Sequence, residues 1–215
     1  MNKLNYRNIT ISGLPGAGSS TLGKALAKVL KWKYFSGGDF MRAYAIEKGL
    51  FDGKDKTHHD ATVYSKDFDY QVDFGMRKTL QKKSGRILDS WLSSFMAQQV
   101  DGVLKILVYC SRNVIRVDRI VNRDNLTIKQ AKEHIFYREK KNVGKWQKIY
   151  RKQWKEWIID KGVVKKDKKV WFWYSEMYDI CIDTYKNSKR ETLKLALREL
   201  GYKGKIDYKS MFNEV

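Results

Sequence analysis

At 215 residues the chain has the length of one ordinary domain, and its 42% hydrophobic content supports a packed core and excludes a disordered polypeptide. No run of roughly 18 or more apolar residues occurs and Met1-Asn2-Lys3-Leu4-Asn5 has no apolar signal core, so a cytoplasmic protein with no membrane partner is expected. A formal charge of +20 attracts polyanions such as nucleotides, RNA or acidic headgroups, unless it only reflects lysines scattered over a solvated surface.

In chain order, Arg7–Ser12 is a short β-type run that stops at Gly13. After a glycine-rich turn, Ser20–Lys31 sets Leu22, Ala25, Leu26, Val29 and Leu30 on one helical face. Trp32–Phe35 reads as a second strand, and Asp39–Lys48 as a helix stopped by Gly49. Residues 50–66 are polar and aperiodic, a loop that includes His58-His59, which make no zinc site. Phe68–Lys83 predicts a helix, Gly85–Asp89 a buried strand ending in a carboxylate, Trp91–Gln99 a helix and Val103–Tyr109 a strand. Asn113–Asn122 and the charged stretch Thr127–Tyr150 read as helical, residues 151–175 as basic and aromatic, Met177–Thr184 as the last strand and Arg190–Leu200 as the closing helix. Cys110 and Cys181 fall in apolar strand runs, where buried structural thiols are expected. Strands alternating with helices predict an α/β fold, a parallel five-stranded sheet covered on both faces. One proline and no linker-like stretch leave 1–215 as a single domain.

The sharpest local pattern is Gly13-Leu14-Pro15-Gly16-Ala17-Gly18-Ser19-Ser20, which fits the phosphate-loop spacing G-x-x-x-x-G-K-[ST] except that Ser19 stands at the lysine. Glycines let backbone N–H groups turn toward phosphate oxygens, and the following helix adds its dipole. Ser20 is placed to ligate Mg²⁺. Ser19 removes one cation near the β- and γ-phosphates; Lys24 faces away on a regular helix, so an arginine from a lid is the better substitute. Arg116, Arg119 and Arg123, three and four apart, share a helix face that repels itself unless something anionic lies against it. Arg42, just past the second glycine turn, is a reasonable phosphate ligand.

These segments resemble the cytidylate kinase family, specifically its archaeal-type branch, over roughly residues 7–200. Ile9–Leu22 is similar to that branch, in which serine or threonine can replace the loop lysine. The resemblance implies a P-loop three-layer fold with a helical lid, and transfer of the ATP γ-phosphoryl group to CMP or dCMP with Mg²⁺. It implies ATP binding by Gly13, Pro15, Gly16, Ala17, Gly18, Ser19, Ser20 and Thr21, and a metal site of Ser20 and Asp89. Residues 38–83 would form the acceptor region, with Ser36 near the base or sugar, Arg42 on the phosphate and Asp183 on the pyrimidine. Residues 123–175 would hold the lid and a basic, aromatic insertion, with Arg116, Arg119, Arg123 and Arg138 as the catalytic cations. Lys145-Trp146 stands where the family has Arg-Tyr, and Trp91 where it has an arginine that holds the acceptor phosphate. Trp91 either stacks on a base or packs.

Phosphoryl transfer to a phosphate needs charge neutralisation and alignment rather than a general base, and no Ser-His-Asp or Cys-His constellation occurs. Two alternatives stay open at this level. One is a kinase of the same fold acting on AMP, UMP or an alcohol, with Asp89 as base. The other is a decayed nucleotide- or RNA-binding protein. For the second, Trp154, Trp157, Trp171 and Trp173 among lysines form either a nucleic-acid-binding flap or a mini-core; spacings of three and two favour packing on a helix and a strand.

Overall fold

The computed structural model describes residues 4–49 and 61–212, so most of the expected polar loop, with His58-His59, lies outside the described residues. β1 (Asn8–Gly13) turns through glycines into α1 (Ser19–Leu30), and β2 (Lys33–Ser36) runs directly into α2 (Gly37–Glu47). The Ser36 hydroxyl caps α2 by accepting from the Asp39 N–H at 3.2 Å. Then follow α3 (Lys66–Lys82), β3 (Arg86–Asp89), α4 (Ser93–Met96), β4 (Val103–Tyr109) and α5 (Asn113–Asp124). The predicted helical stretch from Thr127 is α6 (Ile128–Lys132), a π-turn at Glu133–Tyr137 and α7 (Arg138–Ile149). After it come α8 (Arg151–Trp154), a second π-turn at Lys155–Ile159, β5 (Ile180–Asp183), α9 (Lys189–Glu199) and α10 (Tyr208–Phe212).

The five strands pair in parallel in the order β2-β3-β1-β4-β5. One face carries Ile9, Ile11, Ile87, Ile106 and Ile182, packed on Leu22 and Leu26 of α1 and Leu193 and Leu197 of α9. Successive strand residues point to opposite faces, so Leu88 and Leu107 face the other layer, where α3, α4 and the segment after α7 cover them. The result is the three-layer P-loop kinase fold. Because every strand is parallel, their C-terminal ends share one edge of the sheet, which is where ligands bind in such folds. Gly13, Ser36 and Asp89 end their strands there. Among the described residues no helix is long and apolar enough to cross a membrane.

Four expectations are corrected. The helix expected over Trp91–Gln99 is a single turn, because its hydroxyls bond elsewhere: Ser93 Oγ donates to the Ile11 carbonyl at 3.0 Å and Ser94 Oγ to Thr10 Oγ1 at 3.1 Å. The strand expected from Met177 starts only at Ile180, after a 3₁₀ turn at Ser175–Met177. Cys110 is buried as expected, whereas Cys181 is exposed, since β5 is an edge strand. Trp171 and Trp173 do not lie on a strand; they flank the fully buried Phe172 in irregular chain.

The tryptophans of 151–175 nevertheless turn inward. Trp154 and Trp173 are buried and Trp157 and Trp171 half-buried in a cluster with Phe95, Tyr150 and Ile158. Rings turned inward offer no platform on which bases could stack, so a nucleic-acid flap is not supported. Trp154→Ala should destabilise the protein by about 3–5 kcal/mol, the usual scale for emptying a buried aromatic site, read as a lower urea midpoint.

Candidate functional site

Local sequence shapes the turn between β1 and α1. Gly16 and Gly18 adopt φ of +78° and +99°, a region that side chains rarely tolerate. A Cβ on Gly16 would also stand 2.7 Å from the Arg116 carbonyl oxygen, so the loop lies directly against α5. The N–H groups of Gly16, Gly18, Ser19 and Ser20 have no protein acceptor among the described residues, and all four residues line a cavity of about 710 Å³.

The carbonyls of this loop are held from behind. Arg116 Nε donates to the Pro15 oxygen at 3.0 Å, Arg119 Nη1 to the Gly16 oxygen at 3.1 Å, and Thr184 Oγ1 to the Ala17 oxygen at 2.7 Å. Arg119 also grips Thr184, with Nη1 to Oγ1 at 2.8 Å and Nη2 to the carbonyl at 2.9 Å. Arg116 is buried, donates to Glu139 at 3.3 Å and does not line the cavity. The self-repelling arginine face is thus neutralised in part by peptide carbonyls. Thr184, one residue beyond β5, is a site residue that sequence reasoning passed over; it shows no local signal beyond its place at a strand end.

Ser20 Oγ donates to Asp89 Oδ2 at 2.7 Å, and the Tyr34 hydroxyl donates to the same oxygen at 2.8 Å. Burial raises the Asp89 pKa, which these two hydrogen bonds partly offset. A hydroxyl beside a carboxylate at a phosphate loop fits Mg²⁺, a hard cation that takes one or two protein oxygens and completes its shell with phosphates and water. Such a site needs no larger cluster, and no group of three or more His, Cys, Asp or Glu that could hold a metal occurs among the described residues.

Of the other expected residues, Pro15, Thr21, Ser36, Arg42, Arg123 and Arg138 line the cavity with Arg119, and so does Lys24, against expectation. Ala17 is buried beneath the loop. Arg123 makes a fork to its neighbour Asp124, both bonds 2.7 Å, and Arg42 pairs with Asp39. Asp183 does not join Ser36 and Arg42. It ends β5, at the opposite edge of the sheet from β2, where its Oδ1 accepts from the Ser111 and Tyr185 N–H groups at 3.0 Å each. Those bonds outweigh its desolvation and hold its pKa below the ordinary carboxylate value. Lys145 is equally committed elsewhere, with Nζ 2.5 Å from Asp69 and donating to the Ala61 and Tyr64 carbonyls at 2.7 and 2.8 Å.

Trp91 packs edge-on against Trp146 and Trp173 at centroid distances of 5.4 and 6.2 Å, and the Arg138 guanidinium lies 5.2 Å from its ring centre. Arg138 also meets His134 Nε2 at 3.0 Å across the π-turn. Burial and the Arg138 charge push the His134 pKa down to about 3, so the imidazole is neutral and accepts this bond. Behind Trp91 a second cavity of about 100 Å³ opens, sharing Gly38, Arg42, Ser90, Trp91 and Arg138 with the first. Its inner wall carries Asp69 and Asp73, one turn apart on α3, and Asn142 of α7. Asp69 has Lys145 as its cation, whereas Asp73 has the Tyr150 hydroxyl as donor. Burial raises the Asp73 pKa to about 7.

The profile of the Cytidylate kinase-like family matches residues 8–186. Among curated relatives, a cytidylate kinase of Methanothrix thermoacetophila is 31% identical over 189 residues, covering 88% of this chain and 95% of that one. The cytidylate kinase of Methanopyrus kandleri is 28% identical over 201 residues, covering 87% and 89%. Among solved structures, an uncharacterized protein from Eubacterium ventriosum superposes with TM-score 0.62 at 12% identity over 92% of this chain and 99% of that one. A gluconokinase from Sinorhizobium meliloti gives 0.51 at 12% identity over 93% and 94%. At such identities the likeness concerns the fold.

Two outcomes follow from these contacts. Arg116→Ala should lower thermal stability and weaken ATP binding together, because it strips the Pro15 carbonyl and leaves Glu139 uncompensated; calorimetry with ATP and a melting curve read both. The second concerns pH. Folded Asp73 keeps its proton up to about 7, whereas the unfolded chain releases it near the ordinary 3.8. Its contribution to stability therefore falls as pH rises through that window and is level above it. Asp73→Asn should flatten this decline, measured by urea unfolding at pH 4.5 and 7.5.

Proposed function

Because the chain belongs to the cytidylate kinase-like family, we propose that it is an ATP-dependent nucleoside monophosphate kinase acting on CMP or dCMP. The observation that carries the reading is the pair of joined cavities. One is floored by the phosphate loop, the other is smaller and aromatic-walled, and Arg42, Trp91 and Arg138 stand at their junction. At roughly 10–15 Å³ per water-sized group, the smaller cavity takes a single-ring base. Its mouth then leaves the base's 5′-phosphate at the junction, facing the γ-phosphate of ATP on the loop.

The acceptor oxygen is already ionised near neutral pH, so the residues have to neutralise charge and align two phosphates. The free N–H groups of Gly16, Gly18, Ser19 and Ser20 receive the donor phosphates. Ser20 and Asp89 would hold Mg²⁺, whose chemistry when bound is to neutralise the β- and γ-oxygens. Arg42 takes the acceptor phosphate. Arg138, held over the Trp91 face by cation–π attraction, supplies the charge that the resemblance expects from an arginine at position 91. Among the cations lining the cavity, Arg138 and, once it leaves its fork to Asp124, Arg123 offset the loop's missing lysine, whereas Arg119 is largely committed to the Gly16 and Thr184 carbonyls.

A coupled assay of ADP release with CMP, dCMP, UMP and AMP tests the reading, and turnover confined to CMP and dCMP is expected. Arg42→Ala should raise the KM for the monophosphate at least tenfold with little change in the KM for ATP. A reversed pattern would exchange the two ends of the site.

A further inference from the structure

On the inner wall of the smaller cavity, the second carboxylate oxygen of Asp73 and the NH₂ of Asn142 have no hydrogen-bond partner among the described residues. Asn142 is buried, and its Oδ1 accepts from the Ala61 N–H at 2.6 Å. That bond fixes which way the amide is turned, because an N–H must meet oxygen. The Asn142 NH₂ therefore points elsewhere, and it has no acceptor among the described residues. Across the cavity, the Tyr150 hydroxyl donates to Asp73 Oδ2, and no other donor among the described residues reaches Asp73. Asp69, beside it, has Lys145 as its cation. Asn142 is buried and Asp73 half-buried, both lining the cavity; polar groups largely screened from water are normally paired, so this pair points to a ligand.

We infer that Asp73 and Asn142 select the acceptor's base: Asp73 Oδ1 receives the exocyclic 4-amino group of a cytosine ring, and the Asn142 amide donates to that ring's adjacent acceptor edge. This rests on the proposed kinase reading and extends it from phosphoryl transfer to base choice. Cytosine presents an amino donor followed by two acceptors. Uracil presents a carbonyl where the amino group would be, and above about pH 7, where Asp73 is ionised, a carbonyl oxygen against its carboxylate leaves both without a hydrogen. Adenine also carries an amino group beside a ring nitrogen, but its second ring exceeds the cavity. Asp73 and Asn142 are specificity-determining residues here and touch neither phosphate. A site built on hydrogen bonds rejects a ligand that lacks them far more strongly than an apolar pocket does.

The first test leaves the protein unaltered. Initial rates are compared at about pH 8.5, where Asp73 is ionised, for CMP, UMP and the monophosphate of the pyrimidin-2-one nucleoside, which lacks only the amino group. The inference expects kcat/KM to fall by about 10²-fold or more for both analogues, with the KM for ATP unchanged; rates within threefold of CMP would overturn it. The second test is Asp73→Asn, which keeps an oxygen for Tyr150 and turns an NH₂ into the cavity. The ratio of kcat/KM for CMP to that for UMP should collapse by at least 10²-fold toward UMP, and an unchanged ratio in the folded variant would sink the assignment. Should the wild-type protein phosphorylate no monophosphate, the kinase reading falls by itself. Calorimetric binding of CMP and UMP then decides the inference, which requires tighter binding of CMP and is overturned by equal affinities.

Discussion

The phosphate loop imposes one constraint on the rest of the molecule. If its N–H groups are to face a ligand, its carbonyls must face the other way, into protein, and buried carbonyls need donors. Three successive oxygens, of Pro15, Gly16 and Ala17, find them in Arg116, Arg119 and Thr184. Two of these come from one face of α5 and the third from just past the edge strand β5. The positions of α5 and β5 are therefore part of the loop's architecture. Glu139 of α7 joins the same system through Arg116, which ties the α6–α7 segment to the back of the loop.

Charge is arranged differently at the two ends of the cleft. Around the loop, cations outnumber anions, and Asp89 is kept beside Ser20 and Tyr34, where hydrogen bonds partly offset its desolvation. In the smaller cavity two carboxyls share one lysine. Lys145 goes to Asp69, and Asp73 is left with a phenol, whose hydrogen bond only partly offsets the burial that raises its pKa to about 7. An uncompensated buried carboxyl destabilises a fold, and perturbed groups of this kind gather at functional sites. The aromatic cluster makes the arrangement possible. Tyr150, fully buried against Phe95, presents its hydroxyl to Asp73, and Trp91, fixed by Trp146 and Trp173, offers a ring face to Arg138.

The basic, aromatic segment shows why charge and composition are weak guides by themselves. Lysines and tryptophans side by side suit single-stranded nucleic acid as well as they suit a small core with a solvated coat. Burial decides between these, and it turned Trp154 and Trp173 inward. Spacing was a partial guide. The interval of three between Trp154 and Trp157 matches helical geometry, while the interval of two between Trp171 and Trp173 suggested a strand where irregular chain wraps Phe172.

Whatever depends on neighbours along the chain was readable from the residues alone. The five strands and the main helices followed from apolar periodicity, and the turn at Gly13–Ser20 from glycine spacing. Ser20 and Asp89 were legible because each sits at a strand or helix end that the parallel sheet brings to one edge. Contacts between residues far apart in the chain had no such signal. Arg116, read as a cation for phosphate, serves the Pro15 carbonyl 101 positions away. Asp183, read as an acceptor-side group, lies at the far edge because the strand order puts β3, β1 and β4 between β2 and β5. Asp73 and Asn142 have no motif at all. The physical reason is common to all three: a charged or polar side chain is used according to which groups close packing leaves without a partner, and only the tertiary structure decides that.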